Sequence, residues 1–199
     1  MNSAEVVIIE SGGANTASLQ FALQRLGASS AVSADAQQIK AAGRLILPGV
    51  GAAADAMARL RQSGLDVLIP SLQQPLLGIC LGMQLLFDAS DEGQSTCLGI
   101  VPGHAARFAP AADRPVPHMG WNTLNIERTH PLLEGLSPGD YAYFVHSYAL
   151  APSSATLATC RYGEAFSACV QWRNFYGTQF HPERSGSVGA RLLQNFLRL

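Results

Sequence analysis

Over its first half the chain alternates short, unbroken apolar runs with stretches of helical periodicity. Residues 6–9 (VVII) form a β-branched run ended by Ser-Gly-Gly, which predicts a buried strand and its turn. Leu19, Ala22, Leu23 and Leu26 then repeat at helical spacing, with Gly27 placed to stop the helix. A second buried strand is predicted over 45–47 and is closed by Pro48-Gly49-Val50-Gly51. The helix predicted next covers about 52–62, with Gly64 just beyond it. A third strand is predicted over 76–79, and the spacing predicts a helix over 81–89. Strands and helices that alternate across short connections form parallel sheets covered on both faces. The second half is β-rich. Residues 123–126, 141–148, 156–161, 166–172 and 175–180 are separated by turn residues and predict antiparallel strands added to the same domain. A last helix is predicted from Ser187 as N-cap, with Val188, Leu192, Leu193, Phe196 and Leu197 on its apolar side. No repeat, linker or low-complexity tract interrupts the chain. The expectation is one α/β domain over residues 1–199, with a mostly parallel central sheet flanked by helices and antiparallel strands in its C-terminal half.

Composition narrows the function classes. Apolar residues make up 48% of the 199 positions, enough for a core without disulfides. A formal net charge of −1 argues against nucleic acid or an anionic membrane as the main partner. Charged residues are only 14% of the chain, which fits either a surface partly covered by another subunit or an alanine-rich composition. Four cysteines, at 80, 97, 160 and 169, form no CxxC pair and predict reduced thiols. No basic leader and no run approaching about 18 apolar residues is visible, so a cytoplasmic location is expected.

The segment PLLGICLGMQLLF, residues 75–87, sets Cys80 between Gly78 and Gly82 where an apolar strand turns into a helix. A nucleophile on such an elbow projects clear of the sheet. The helix start behind it offers unpaired N–H groups and a field that favours thiolate. A strained elbow tolerates little bulk two residues either side, and glycines occupy both positions. The local residues fit a buried structural cysteine as well. His181, in GTQFHPERS, stands at a strand end with Glu183 two residues on, and Pro182 stiffens the tripeptide. Such a unit holds a carboxylate against one imidazole nitrogen and leaves the other for a thiol. In isolation HPE also fits a solvated loop. LPGVG, residues 47–51, offers the Gly49-Val50 peptide as an oxyanion donor beside the Leu81 N–H, or forms an ordinary β-to-helix turn.

Taken together, GICLGMQ and QFHPE resemble the class I (triad) glutamine amidotransferases. LPGVG, PHMGWN (residues 117–122), YFVHSY (143–148) and YGTQFHPE (176–183) are similar to the glutaminase subunits of imidazole glycerol phosphate synthase within that family. The resemblance runs from Val6 to the last helix and implies a flavodoxin-like fold. It implies Cys80 as nucleophile, His181 as base and Glu183 as its orienter. It assigns Gln84 and the backbone of Gly51 to glutamine, and Gly49, Val50 and Leu81 to the oxyanion site. The implied partner is a separate cyclase subunit with a (β/α)₈ barrel, and no cofactor or metal is implied. Asn15, Trp121 and Tyr143 are the candidates for the partner face, although core strand positions would suit Trp121 and Tyr143 too. The loop 10–14 departs from the family's more usual aspartate- and glycine-bearing pattern. Subunits serving anthranilate or aminodeoxychorismate synthesis are the near alternative. They usually carry PGPG at the turn and histidine-glutamine after the elbow, where this chain has Met83-Gln84. A Cys-elbow protein acting on proteins or small electrophiles lacks the HPE signature.

Overall fold

The computed structural model describes residues 6–11 and 16–199. In chain order the first elements are β1 (Val6–Ile9), α1 (Thr16–Arg25), β2 (Ser30–Ser33), α2 (Ala36–Ala41), β3 (Arg44–Gly49), α3 (Ala53–Gln62) and α4 (Leu65–Leu68). They lead into β4 (Leu76–Cys80) and α5 (Leu81–Leu85), then β5 (Phe87–Ser90), β6 (Ser95–Thr96) and β7 (Val101–Arg107). The second half adds β8 (His118–Thr123), β9 (Asn125–Ile126), β10 (Tyr141–His146), β11 (Tyr148–Leu150), β12 (Thr156–Tyr162), β13 (Glu164–Trp172) and β14 (Phe175–Thr178). It ends in α6 (Gly186–Phe196).

An eight-stranded sheet in the order β2-β1-β3-β4-β14-β13-β12-β9 organises the molecule. The five strands β2, β1, β3, β4 and β14 run parallel, and the last three add antiparallel pairs. The parallel strands read as apolar runs because both faces are covered. Val7, Ile9, Leu45, Leu47 and Leu76 join one core with Ile39 of α2 and Ala56, Met57 and Leu60 of α3. Val6, Ile8, Ile46, Leu77 and Ile79 point the other way, to Leu19 and Leu23 of α1 and Leu192, Leu193 and Phe196 of α6. Side chains that alternate across a strand with helices on either face give the three-layer α/β architecture. β8 pairs with β10, and β11-β7-β5-β6 form a further four-stranded sheet.

Several local expectations are corrected. The helix after Cys80 stops at Leu85, and residues 87–90 are a strand. Phe87 pairs in register with Val101 of β7, and the Asp88 carboxylate accepts from the Gly103 N–H, so sheet partners outweigh the continuing apolar periodicity. Residues 141–148 divide at Ser147 into β10 and β11, which belong to different sheets. β14 is antiparallel only to β13 and pairs parallel with β4, which puts the two ends that carry the candidate chemistry side by side. The last helix begins at Gly186 rather than after Ser187. Ser185 stands at its N-cap position but donates its hydroxyl to the His181 carbonyl at 2.7 Å.

Candidate active site

The elbow is built by close approach of backbones. Cys80 closes β4 at φ 54°, ψ −112°, a conformation costly for any residue with a Cβ. It is held because the turn behind it packs directly on β3. A Cβ at Gly82 would lie 1.8 Å from the Leu47 carbonyl oxygen, and one at Gly49 would lie 2.7 Å from the Gly82 nitrogen. At Gly78 a Cβ would meet the Gly82 carbonyl oxygen at 2.6 Å. Glycine at these positions is therefore a packing requirement that fixes where the sulfur points. Gly51 adopts φ +88° and turns the chain from β3 toward α3. The Ser11 hydroxyl donates to the Pro48 carbonyl at 2.7 Å and ties this turn to the end of β1.

His181 follows β14, one strand over from the elbow, and is fixed from both sides. Its N–H donates to the Tyr143 carbonyl at 3.0 Å, and the Ser185 hydroxyl that bonds its carbonyl also accepts the Tyr143 N–H at 2.9 Å. Pro182 opens the one-turn 3₁₀ helix that swings Glu183 back beside the imidazole. Nδ1 of His181 and Oε1 of Glu183 are 3.0 Å apart. His181 Nε2 and Glu183 Oε2 are buried and have no hydrogen-bond partner among the described residues. Burial lowers the His181 pKa, but the proximity of Cys80 and Glu183 together outweighs it and raises the pKa to about 10. The imidazole is thus held as a cation wherever both neighbours carry negative charge. The Cys80 sulfur lies 3.7 Å from the Val145 carbonyl and 3.8 Å from the Gln179 side-chain nitrogen.

A cavity of about 420 Å³ opens over this group. Cys80, His181 and Glu183 all line it, as do Gly49, Val50, Gly51, Leu81 and Gln84. The structure thus brings together every residue assigned from sequence to catalysis or to glutamine. Gln84 is buried, and its side-chain nitrogen donates to the Tyr148 carbonyl and to Gln179 Oε1, both at 2.9 Å. The remaining cysteines are free and buried away from this cavity. Burial pushes the Cys97 thiol up to about 11, Cys160 up to about 12 and Cys169 higher still.

Trp121 and Tyr143 lie outside the cavity, directly paired across β8 and β10 with ring centroids 5.9 Å apart. Trp121 is 55% exposed, with Met119 and Tyr141 exposed nearby, so its reading as a core residue does not hold. The Arg184 guanidinium lies 4.5 Å from the centre of the Tyr143 ring, linking this face to the HPE segment. Asn15 lies outside the described residues.

Two groups, one lining the cavity and one buried behind the nucleophile, carry no sequence signal of their own. Glu92, a loop residue, lines the cavity while its Oε2 accepts the Ala53 N–H at 2.9 Å; its carboxylate suits the ammonium group of an amino acid. Gln179, fully buried between Cys80 and Gln84, sits within the QFHPE motif, whose evident chemistry belongs to the histidine and glutamate. No group of three or more His, Cys, Asp or Glu side chains suited to a metal ion occurs among the described residues.

The family model for class-I glutamine amidotransferases matches residues 7–199. Proteins named imidazole glycerol phosphate synthase subunit HisH are similar over 98% of both chains. Those of Vibrio cholerae, Xylella fastidiosa and Legionella pneumophila are 50%, 52% and 52% identical. Among solved structures, one described as a glutamine amidotransferase superposes with a TM-score of 0.75 at 20% identity, covering 98% of this chain and 97% of its own. A glutamine amidotransferase from Thermotoga maritima gives 0.64 at 16% identity, covering 100% and 82%; both likenesses concern the fold. The match over nearly the whole chain, with a cysteine elbow and a His-Glu pair at one cavity, makes this chain a member of the class-I glutamine amidotransferase family.

Proposed function

We propose that this chain is the glutaminase subunit of imidazole glycerol phosphate synthase, folded as one amidotransferase domain over residues 1–199. The observation that carries the reading is the 50–52% identity with HisH subunits over 98% of both chains. Subunits serving anthranilate or aminodeoxychorismate synthesis are not favoured by it.

The geometry supports a thiol mechanism. Cys80 sulfur attacks the carbonyl carbon of the glutamine side-chain amide, and negative charge moves to the amide oxygen. Backbone N–H groups of Leu81 and of the Gly49-Val50 peptide are the proposed donors to that oxygen. The His181 imidazolium gives its proton to the departing nitrogen, and ammonia leaves a glutamyl thioester. His181, now neutral, removes a proton from water as the water attacks the thioester. Glutamate leaves, the sulfur and imidazole return to their starting state, and the sum is glutamine plus water giving glutamate plus ammonia. Glu183 keeps Nδ1 occupied so that Nε2 faces the sulfur. Gln84 and Gly51 hold the substrate, with Glu92 at its ammonium end.

Ammonia passes to a cyclase partner with a (β/α)₈ barrel, which forms imidazole glycerol phosphate and an aminoimidazole carboxamide ribotide. The exposed face carrying Met119, Trp121 and Tyr141, continuous with Tyr143, is the proposed contact. The Gly49-Val50 peptide is the proposed switch, turned into its donating orientation when partner and acceptor bind. No helix among the described residues is long and apolar enough to cross a membrane. A cytoplasmic location is part of the proposal. The test is glutamine hydrolysis with and without the cyclase and its acceptor: turnover rising by orders of magnitude supports the reading, and turnover indifferent to both would overturn it.

A further inference from the structure

The Tyr148 carbonyl oxygen accepts two hydrogen bonds, from His146 Nδ1 at 2.8 Å and from Gln84 Nε2 at 2.9 Å. A carbonyl can only accept, and two bonds use both of its lone pairs. The group on each side of it must therefore be a donor, and that requirement propagates outward.

On one side, His146 carries its proton on Nδ1, so its Nε2 is an acceptor. Nε2 lies 3.1 Å from His118 Nδ1, which must then carry a proton. His118 Nε2 is left as an acceptor, and the Asn122 side-chain nitrogen stands 3.3 Å from it. Both imidazoles are neutral in this pattern. Burial, which holds His118 down to about 4 and His146 down to about 3, agrees with it. On the other side, the Gln84 atom facing Tyr148 is its nitrogen and not its oxygen. The same nitrogen lies 2.9 Å from the Gln179 side chain, so Gln179 must present its oxygen there. Gln179 has one other end. Its NH₂ group faces the Cys80 sulfur at 3.8 Å. The orientation of a buried amide, normally a matter of assignment, is here forced by a backbone carbonyl two links away.

We propose that Gln179 is a further catalytic residue, whose side-chain N–H hydrogen-bonds the Cys80 sulfur and steadies its negative charge before attack and on thioester breakdown. The inference rests on the glutaminase reading for its substrate but on geometry for the contact. Beside the His181 imidazolium, the Gln179 amide is a neutral donor to the sulfur, whereas the Val145 carbonyl at 3.7 Å can only accept. Gln179 is fully buried, so its donor is not diluted by water and cannot turn away without breaking the bond to Gln84. His118 and His146 act through the Tyr148 carbonyl and are positioning residues. They sit on β8 and β10, the pair whose outer face carries Trp121 and Tyr143, so a shift of that pair reaches the nucleophile through hydrogen bonds alone.

The test uses Gln179→Glu and Gln179→Met in the assembled complex. A carboxylate accepts from Gln84 but offers no N–H to the sulfur, whereas methionine fills the space with neither. Losing a hydrogen bond to a charged atom predicts a fall in kcat for glutamine of about 10- to 100-fold, with KM changed by less than about 3-fold. The rate of iodoacetamide alkylation at Cys80, located by mass spectrometry, should fall in step at constant pH. Ammonia-dependent cyclisation should be unchanged, which shows that the complex is intact. Unchanged kcat and alkylation in both variants would overturn the proposal. A rise in KM alone would do so too, because it would make Gln179 a support for Gln84 only. Alkylation needs no glutamine, so a failed glutaminase reading, with no turnover by the parent, is distinguishable from failure at Gln179. Should neither variant fold, the parent decides. The Gln179 side-chain amide resonance in ¹⁵N-labelled protein should move on Cys80→Ala substitution, and an unmoved resonance would refute the contact.

Discussion

Replacing Gly82 by alanine isolates the packing that aims the nucleophile. The added methyl group would sit 1.8 Å from the Leu47 carbonyl oxygen, 2.8 Å from the Leu47 carbonyl carbon and 3.2 Å from that of Pro48. A normal contact requires β3 and the elbow to part by more than about 1 Å, and neither yields easily. β3 is paired on both sides, with β1 and β4, and its apolar side chains are buried in both cores. Overpacking a core ordinarily costs about 1–3 kcal/mol, and a backbone clash in a central strand belongs above that range, at about 4 kcal/mol. With a urea m-value of about 2 kcal/mol/M, the unfolding midpoint should drop by about 2 M. Gly51→Ala is the control. It has open space around it but φ +88°, so conformational strain alone should cost about 1–2 kcal/mol. Urea denaturation followed by tryptophan fluorescence measures both. Native-state alkylation of Cys80 should also slow in Gly82→Ala, because the turn that aims the sulfur has moved. A Gly82→Ala protein within about 1 kcal/mol of the parent, or less destabilised than Gly51→Ala, would refute the steric account of the elbow.

Other consequences concern charge and contact. His181→Ala should cost more turnover than Glu183→Gln, with the double variant little worse than His181→Ala in steady-state kinetics, because the pair acts as one unit. The His181 imidazole should remain protonated through pH 7–8 in ¹⁵N spectra and titrate toward about 10, with a lower midpoint in Cys80→Ala and Glu183→Gln. A raised pKa stabilises the fold fully below about 6.5, and that contribution is lost as pH rises through about 10. Trp121→Ser, on an exposed face, should leave the stability of the isolated subunit in urea within about 0.5 kcal/mol of the parent while weakening cyclase binding at least 10-fold in titration calorimetry.

What could be read from sequence follows from which forces are local. β1, β3 and β4 are buried on both faces, so they appear as apolar runs whatever their neighbours. The elbow was legible because backbone approach at Gly78 and Gly82 leaves room for no other residue type. The His181–Glu183 contact lies within three residues, but HPE in isolation fits a solvated loop too, because the bonds to Tyr143 and Ser185 that fix His181 come from outside it. β7, VPGHAAR, is largely exposed and carries little apolar signal, and the strand at Phe87 depends on it, so periodicity alone makes the preceding helix too long. Gln179 and Gln84 meet across 95 positions of chain, and Gln179 and Cys80 across 99. No periodicity encodes such a contact. Glu92 reaches the cavity from a short 3₁₀ turn whose sequence resembles any solvent-facing loop.

Cys80 is proposed to release ammonia from glutamine for use by a partner. Cys80→Ser in the reconstituted complex tests this most directly, with product formation followed using either glutamine or ammonium as nitrogen source. Glutamine-dependent synthesis should vanish while ammonium-dependent synthesis stays near the parent rate, since the oxygen nucleophile leaves the fold and the partner face intact. Glutamine-dependent turnover that survives the substitution would contradict the assignment of Cys80, and with it the elbow chemistry built upon it.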